Sequence, residues 1–348
     1  MDDLCRLLDF SLDELRPLIL QDSMSFGGTG LREALAEWFL AGDVARTLAT
    51  HGSTEANFLL SHALLSPGDE IVASEPIYPQ LAAVPQSIGC RLRSWPLRFD
   101  RGYRPDLDEL RSLLSARTRM VVVNFPHNPT GAALTLEEET ALIEAVSEVG
   151  AYLIWDCAFS ELTYETPPVS QLRLLEYERS VTMGTLSKAY GLPGLRVGWC
   201  LADPVILERM IQVRDYVTLH LSPLVEWIAE RVIRSADLLV HRRLAQARHN
   251  LSVVSAWVEA QGGAVSWVPP QGGVTAFPRL PFADTEPFCR RLAEEQKVLL
   301  VPGKSFGHPE HVRLGFGGAT HHLSEGLRRL SLYLEKPVVG SVFAYGGL

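Results

Sequence analysis

Val181-Thr182-Met183-Gly184-Thr185-Leu186-Ser187-Lys188-Ala189-Tyr190-Gly191-Leu192-Pro193-Gly194-Leu195-Arg196-Val197-Gly198-Trp199 decides the reading of this chain. Residues 181–186 are apolar enough for a buried strand, and the glycines and proline that follow break it into a loop. Lys188 stands where that strand ends, in a position with no packing role. The hydroxyls of Thr185 and Ser187 and the guanidinium of Arg196 flank it, so an amine nucleophile lies beside groups suited to a phosphate. Lysines of this kind form Schiff bases with carbonyls, and pyridoxal phosphate carries both the carbonyl and the phosphate. A lone loop lysine is ordinarily a surface residue; here the neighbours give it a chemical reading.

Outward from this segment, apolar runs alternate with helix-like stretches from about residue 43 to about 222. The runs 70–74, 91–96, 119–125, 152–156, 180–185 and 196–201 read as strands. Between them, Thr135 with Glu138 and Asp106 with Glu109 have the spacing of capping boxes. This alternation predicts an α/β fold, a mostly parallel sheet with helices on both faces. A long helical region from 223 to about 260 bridges to a smaller α+β domain. That domain would combine residues 1–26 with 236–335, leaving 27–235 as the large domain. The glycine-containing end, 336–348, is expected to be a flexible tail.

Three further segments bring chemistry to strand ends, where open α/β sheets bind ligands. Asn124-Phe125-Pro126-His127-Asn128-Pro129-Thr130-Gly131 follows an apolar run and must turn, because its prolines and glycine forbid helix or ladder. Asn128 then presents an amide able to donate to a ring oxygen. Ala151-Tyr152-Leu153-Ile154-Trp155-Asp156 ends a buried strand pattern on a carboxylate that needs a partner. A protonated pyridine nitrogen would serve, and so would the backbone N–H groups of a following helix. Thr50-His51-Gly52-Ser53-Thr54-Glu55-Ala56-Asn57 opens a helix at 56–65, whose unpaired N–H groups and dipole favour an anion. Alone it is an ordinary helix start; beside Lys188 it reads as a phosphate cup. Tyr78, in Glu75-Pro76-Ile77-Tyr78-Pro79, either stacks on a flat ring or packs half-buried between prolines.

Taken in order, these segments resemble the fold-type-I, class I/II aminotransferase family of pyridoxal-phosphate enzymes. The order continues into Pro270-Gln271-Gly272-Gly273, then Val301-Pro302-Gly303-Lys304-Ser305-Phe306-Gly307 and His311-Val312-Arg313-Leu314-Gly315-Phe316, so the resemblance covers roughly residues 27–330. It implies that Lys188 carries pyridoxal 5'-phosphate and moves the substrate's α-proton. Asn128 would bind the cofactor's phenolic oxygen and Asp156 its pyridine nitrogen. Ser53, Thr54, Thr185 and Arg196 would hold the phosphate, Tyr78 would stack, and Phe159 would border the ring. Arg313, beside Asn128, would grip the substrate α-carboxylate, a task for a bidentate guanidinium. The resemblance also implies a homodimer acting on a small amino acid substrate.

The chain departs from the family pattern in three places. Phe159 stands where most relatives carry a tyrosine that donates to the phenolic oxygen. Gln21-Asp22-Ser23-Met24-Ser25-Phe26 lacks the tyrosine that in relatives reaches the neighbouring subunit's phosphate, and little chain precedes Gly27-Gly28. These departures leave the cofactor reading in place and resemble a capreomycidine-synthase-like subgroup of specialised metabolism. There a β-substituent leaves a hydroxylated arginine and a ring closes.

Composition narrows the classes. With 32 basic and 41 acidic residues the net charge is −9, which offers no electrostatic footprint for nucleic acid. The 348 residues, 47% hydrophobic, suffice for two subdomains around one cleft. No apolar run approaches a membrane span, and the acidic start Met1-Asp2-Asp3-Leu4 does not read as a signal sequence. Five scattered cysteines, Cys5, Cys90, Cys157, Cys200 and Cys289, read as reduced thiols in a cytoplasmic protein. His308 with His311, and His321 with His322, read as solvated polar residues, and no metal is expected. Three functions remain: an aminotransferase, the reading the intact motifs favour; a β-eliminating cyclase using the same proton abstraction; and a non-catalytic binding protein, which the full set of motifs disfavours.

Overall fold

The computed structural model describes residues 2–335, and the stretch expected to be a flexible tail lies outside the described residues. The main sheet has seven strands: β1 (Thr47–Thr50), β2 (Glu70–Glu75), β3 (Arg91–Pro96), β4 (Thr118–Asn124), β5 (Tyr152–Asp156), β6 (Ser180–Thr185) and β7 (Gly198–Leu201). Their order is β1-β7-β6-β5-β4-β2-β3. Only β7 runs against its neighbours; the pairs from β6 through to β3 are parallel.

Both faces of this sheet are covered. Ile71, Ala73, Met120, Val122 and Ile154 point into a core with the helices Gly52–Leu64, Pro79–Ile88 and Pro204–Arg214. Val72, Val121, Val123, Leu153 and Trp155 point the other way, into a core with Leu107–Leu113 and Leu136–Glu148. Burial of alternate side chains on opposite faces is why these strands read as unbroken apolar runs. Thr135 and Glu138 form the expected reciprocal capping box. Asp106 accepts from the Glu109 amide, while the Glu109 carboxylate takes up Arg98.

Some expectations need correction. β1 was not anticipated, because four residues, two of them threonine, make too short an apolar signal. The helical region after 223 breaks at Ser235 into Pro223–Arg234 and Ala236–Ala260. Its first half packs with Thr29–Phe39, and Leu8 and Phe10 are buried in the same cluster, Phe10 edge-on to Trp227 at 5.1 Å. His321 and His322 are exposed where the helix Thr320–Leu334 begins, but His311 is not solvated: it is 2% exposed and stacked on Phe277.

A second, antiparallel sheet of β8 (Thr275–Ala276), β9 (Val301–Pro302) and β10 (Val312–Gly315) has the order β8-β10-β9. Its core with the helices Glu286–Gln296 and Thr320–Leu334 is the smaller α+β element that the sequence predicted. β10 carries Arg313 toward the edge of the large sheet.

Candidate active site

The carboxyl ends of β1, β4, β5 and β6 meet the amino end of β7 along one edge of the sheet. Register places Asn124 beside Asp156, and sets Thr50 and Thr185 on either side of Gly198. A cavity of about 240 Å³ opens over this edge. It is lined by all ten residues singled out from the sequence: Ser53, Thr54, Tyr78, Asn128, Asp156, Phe159, Thr185, Lys188, Arg196 and Arg313. Asn124, Ala158 and Pro193 line it as well, although no site role was read for them from the sequence, and so does Ser187, whose hydroxyl the sequence placed beside the phosphate groups. For Asn124 the signal existed, a polar residue ending an apolar strand, the same pattern that exposed Asp156.

One end of the cavity suits an anion. The helix begins at Gly52, earlier than expected, so Ser53 and Thr54 sit in its first turn, and His51 gives it no side-chain cap. The first-turn N–H groups are therefore left for a ligand. Thr185 Oγ1 donates to the Val197 carbonyl at 3.1 Å and accepts from the Ser187 amide at 3.2 Å. Arg196 Nη1 donates to the Pro193 carbonyl at 3.1 Å and to Ser187 Oγ at 3.3 Å. Glycine is required for this convergence: a Cβ on Gly198 would lie 2.5 Å from both the Gly184 oxygen and the Gly52 carbonyl carbon.

At the other end the demand is for a cation. Asp156 is 6% exposed, and its Oδ1 accepts from the Ala158 amide at 2.9 Å. That bond closes a turn and no helix follows directly, which sets aside the helix-capping alternative. Burial raises the Asp156 carboxyl to about 6, against the pull of the Ala158 amide and the Lys188 amine. A buried carboxyl whose ionisation is opposed by burial inside a cavity fits a ring nitrogen that arrives protonated.

Between these ends stands Lys188. Its Nζ makes no hydrogen bond or ion pair among the described residues and lies 5.8 Å from the Phe159 ring centroid. Burial, then the Arg313 guanidinium, hold the amine below its usual range, with Asp156 opposing and Arg196 adding to the depression. A lowered amine is a better nucleophile near neutrality. Asn124 spans the neighbouring strand ends: its Nδ2 donates to the Asp156 carbonyl and its Oδ1 accepts from the Asn128 amide, both at 2.8 Å. Arg313 Nη1 donates to Asn128 Oδ1 at 3.2 Å, and its guanidinium lies over Phe306. Phe159, 2% exposed, packs in the core with Leu162 and Leu186 and has no hydrogen to donate.

An anion cup, an amine nucleophile and a buried carboxyl on the carboxyl edge of a doubly covered sheet define a site for pyridoxal phosphate. The chain belongs to the class I and II aminotransferase family, whose model matches residues 24–330. It is 44% identical to capreomycidine synthase of Streptomyces vinaceus over 91% of this chain and 82% of that protein. It is 29% identical to an arginine–pyruvate transaminase of Pseudomonas aeruginosa over 88% and 80% of the two chains. A crystal structure of the pyridoxal-phosphate-dependent cyclase OrfR superposes with a TM-score of 0.90 at 40% identity, covering 96% of this chain and 89% of that one. The protein is thus an enzyme of this family, with pyridoxal 5'-phosphate as its cofactor.

Proposed function

We propose that the enzyme removes the α-proton of a hydroxylated, arginine-type amino acid, expels the β-hydroxyl as water and closes a ring through a guanidine nitrogen. The arithmetic of the reaction is neutral in electrons: C–O breaks, C–N forms, and the nitrogen gives up one proton. What supports this reading is the 44% and 40% identity to a capreomycidine synthase and a cyclase, against 29% to the transaminase. Phe159 in place of a donor adds to it. Transamination is the second reading, supported by a site that retains the family's lysine, aspartate, asparagine and both arginines.

When bound, the cofactor supplies an aldehyde and an electron-withdrawing ring. Ser53, Thr54, Thr185 and Arg196 would hold its phosphate, Asn128 its phenolic oxygen and Asp156 its ring nitrogen, and Tyr78 would pack against the ring. Arg313 orients the substrate carboxylate. Lys188 Nζ would take the substrate's α-proton, pass it to the departing hydroxyl, and return to the α-carbon the proton that the guanidine nitrogen gives up as the ring closes. The large unit, 27–235, would provide most of these groups and the smaller unit, 236–335, would provide Arg313; Leu8 and Phe10, from the stretch 1–26 expected to join the smaller unit, are buried with residues of the large one.

We also infer a cytoplasmic homodimer. No helix among the described residues is long and apolar enough to cross a membrane. Ile19, Leu20, Met24, Tyr216 and Val217 leave apolar surface uncovered, 69% of Ile19 and 92% of Tyr216. A fully active monomer in sedimentation would rule the dimer out.

Two assays separate the reactions. Holoenzyme is given a β-hydroxylated arginine without any acceptor, and separately amino donors with 2-oxo acids. Loss of water with a ring-closed product in the first supports cyclisation; turnover only in the second establishes a transaminase. Borohydride reduction and peptide mapping should find the cofactor on Lys188, and finding it on Lys304 would sink the site assignment.

A further inference from the structure

Away from the catalytic cavity, the loop between the turn Gly303–Phe306 and β10 gathers His308, Glu310 and His311. One ligand atom from each lies within 4.8 Å of the others. His311 is 2% exposed, and both of its ring nitrogens are buried without a hydrogen-bond partner. Such a group has lost its water, and all it faces in return is the Glu310 carboxylate, 3.4 Å from Nδ1. It cannot swing out to recover it. The ring is stacked on Phe277, centroids 4.8 Å apart at 19°, and Phe99 meets its edge at 5.3 Å. Its carbonyl accepts from Gly303 N and from Thr285 Oγ1, so the backbone is pinned too.

We propose that His308, Glu310 and His311 form a binding site for a divalent transition metal of the zinc class. The edge between His311 Nδ1 and Glu310 Oε1 is 3.4 Å. Two donors about 2.1 Å from one tetrahedral zinc ion stand about 3.4 Å apart, so this edge is already at binding length. His308 is half-buried with its ring 5.5 Å from that of His311, and side-chain rotation alone closes the third edge. Water completes the shell. Two imidazoles and one carboxylate select zinc, cobalt, nickel or copper over magnesium or calcium.

The charges around the site permit a cation. The adjoining cavity is also lined by Glu75, Asp100, Arg98 and Arg279. Arg98 is taken up by Glu109, leaving Arg279 opposed by two carboxylates besides Glu310. A metal here would reach the catalytic cavity through β10. Val312 and Leu314 are buried in the small core, so His311 and Arg313 share the opposite face. Phe277 touches Phe306 at 5.6 Å, and Phe306 lies under Arg313. The ion would anchor the strand and ring stack that seat the carboxylate-binding arginine.

The test uses chelator-treated holoenzyme titrated with Co²⁺, read by its ligand-field absorption to the red of the pyridoxal bands, and with Zn²⁺ against a chromogenic chelator. One ion per chain is expected, with Zn²⁺ displacing Co²⁺. His308→Ala and Glu310→Gln, both outside the packed core, should each weaken binding about 100-fold or more. Zinc should raise the melting temperature of the wild type and leave that of either variant unmoved. Absence of binding to the wild type overturns the proposal. So does binding that survives both variants and is lost instead in a His321→Ala, His322→Ala protein.

Discussion

Asp156→Asn tests whether the buried carboxyl is held for a cationic partner, and it does so without an activity assay. A carboxyl moved from 3.8 to about 6 is penalised for ionising by about 3 kcal/mol, at about 1.4 kcal/mol per pH unit. Burial, the largest cause, applies in full to a side chain that is 6% exposed. Because the folded value lies above the unfolded one, nothing is lost below about pH 3.8, the penalty grows through the window, and it is complete above about pH 6. Between about pH 4.5 and about pH 7.5 the wild-type apoprotein should therefore lose about 2 kcal/mol of unfolding free energy that the asparagine variant does not lose. The fixed cost of burying an unpaired amide shifts the variant at every pH alike, so the slope is the quantity to read. Denaturant unfolding of the two apoproteins across that range measures it. With cofactor bound, the ring nitrogen meets the carboxylate and the wild-type slope should vanish. Parallel pH profiles for the two apoproteins would refute the reasoning, because Asp156 would then be no harder to ionise folded than unfolded.

Phe159→Tyr should lower the pH at which the holoenzyme's visible bands interconvert, since a hydroxyl donating to the phenolic oxygen favours its anion; a spectrophotometric titration that is unmoved or shifted upward counts against the placement of residue 159. Arg313→Lys keeps the charge and loses the fork, so KM should rise about 10- to 100-fold with a smaller change in kcat in steady-state assays. Gly198→Ala forces a methyl to within 2.5 Å of the Gly184 oxygen and the Gly52 carbonyl carbon. Overpacking of that kind should loosen the anion cup and weaken cofactor retention about tenfold or more, measurable by equilibrium dialysis.

The central strands β2, β4, β5 and β6 were legible because they are buried on both faces, and a two-sided burial writes a continuous apolar run that no surface segment carries. Lys188 and Asp156 were legible for a related reason: a charged residue ending such a run must have chemistry or a partner to justify it. Sequence spacing likewise located the glycine-rich turns, since only certain residues can bend the chain there. Other features depended on contacts between distant residues. Asn124 acts by joining Asp156 to the turn of Asn128, a relation set by the β4–β5 register. The anion cup exists because β7 runs antiparallel between β1 and β6, bringing Gly52 and Gly198 into contact across about 150 residues of chain, a separation no local pattern encodes. His311 was read as solvated because a histidine in a proline-containing loop usually is. Its burial comes from Phe277 and Phe99, aromatic rings from two remote segments, and only their packing strips the imidazole of water and leaves both nitrogens without a hydrogen-bond partner.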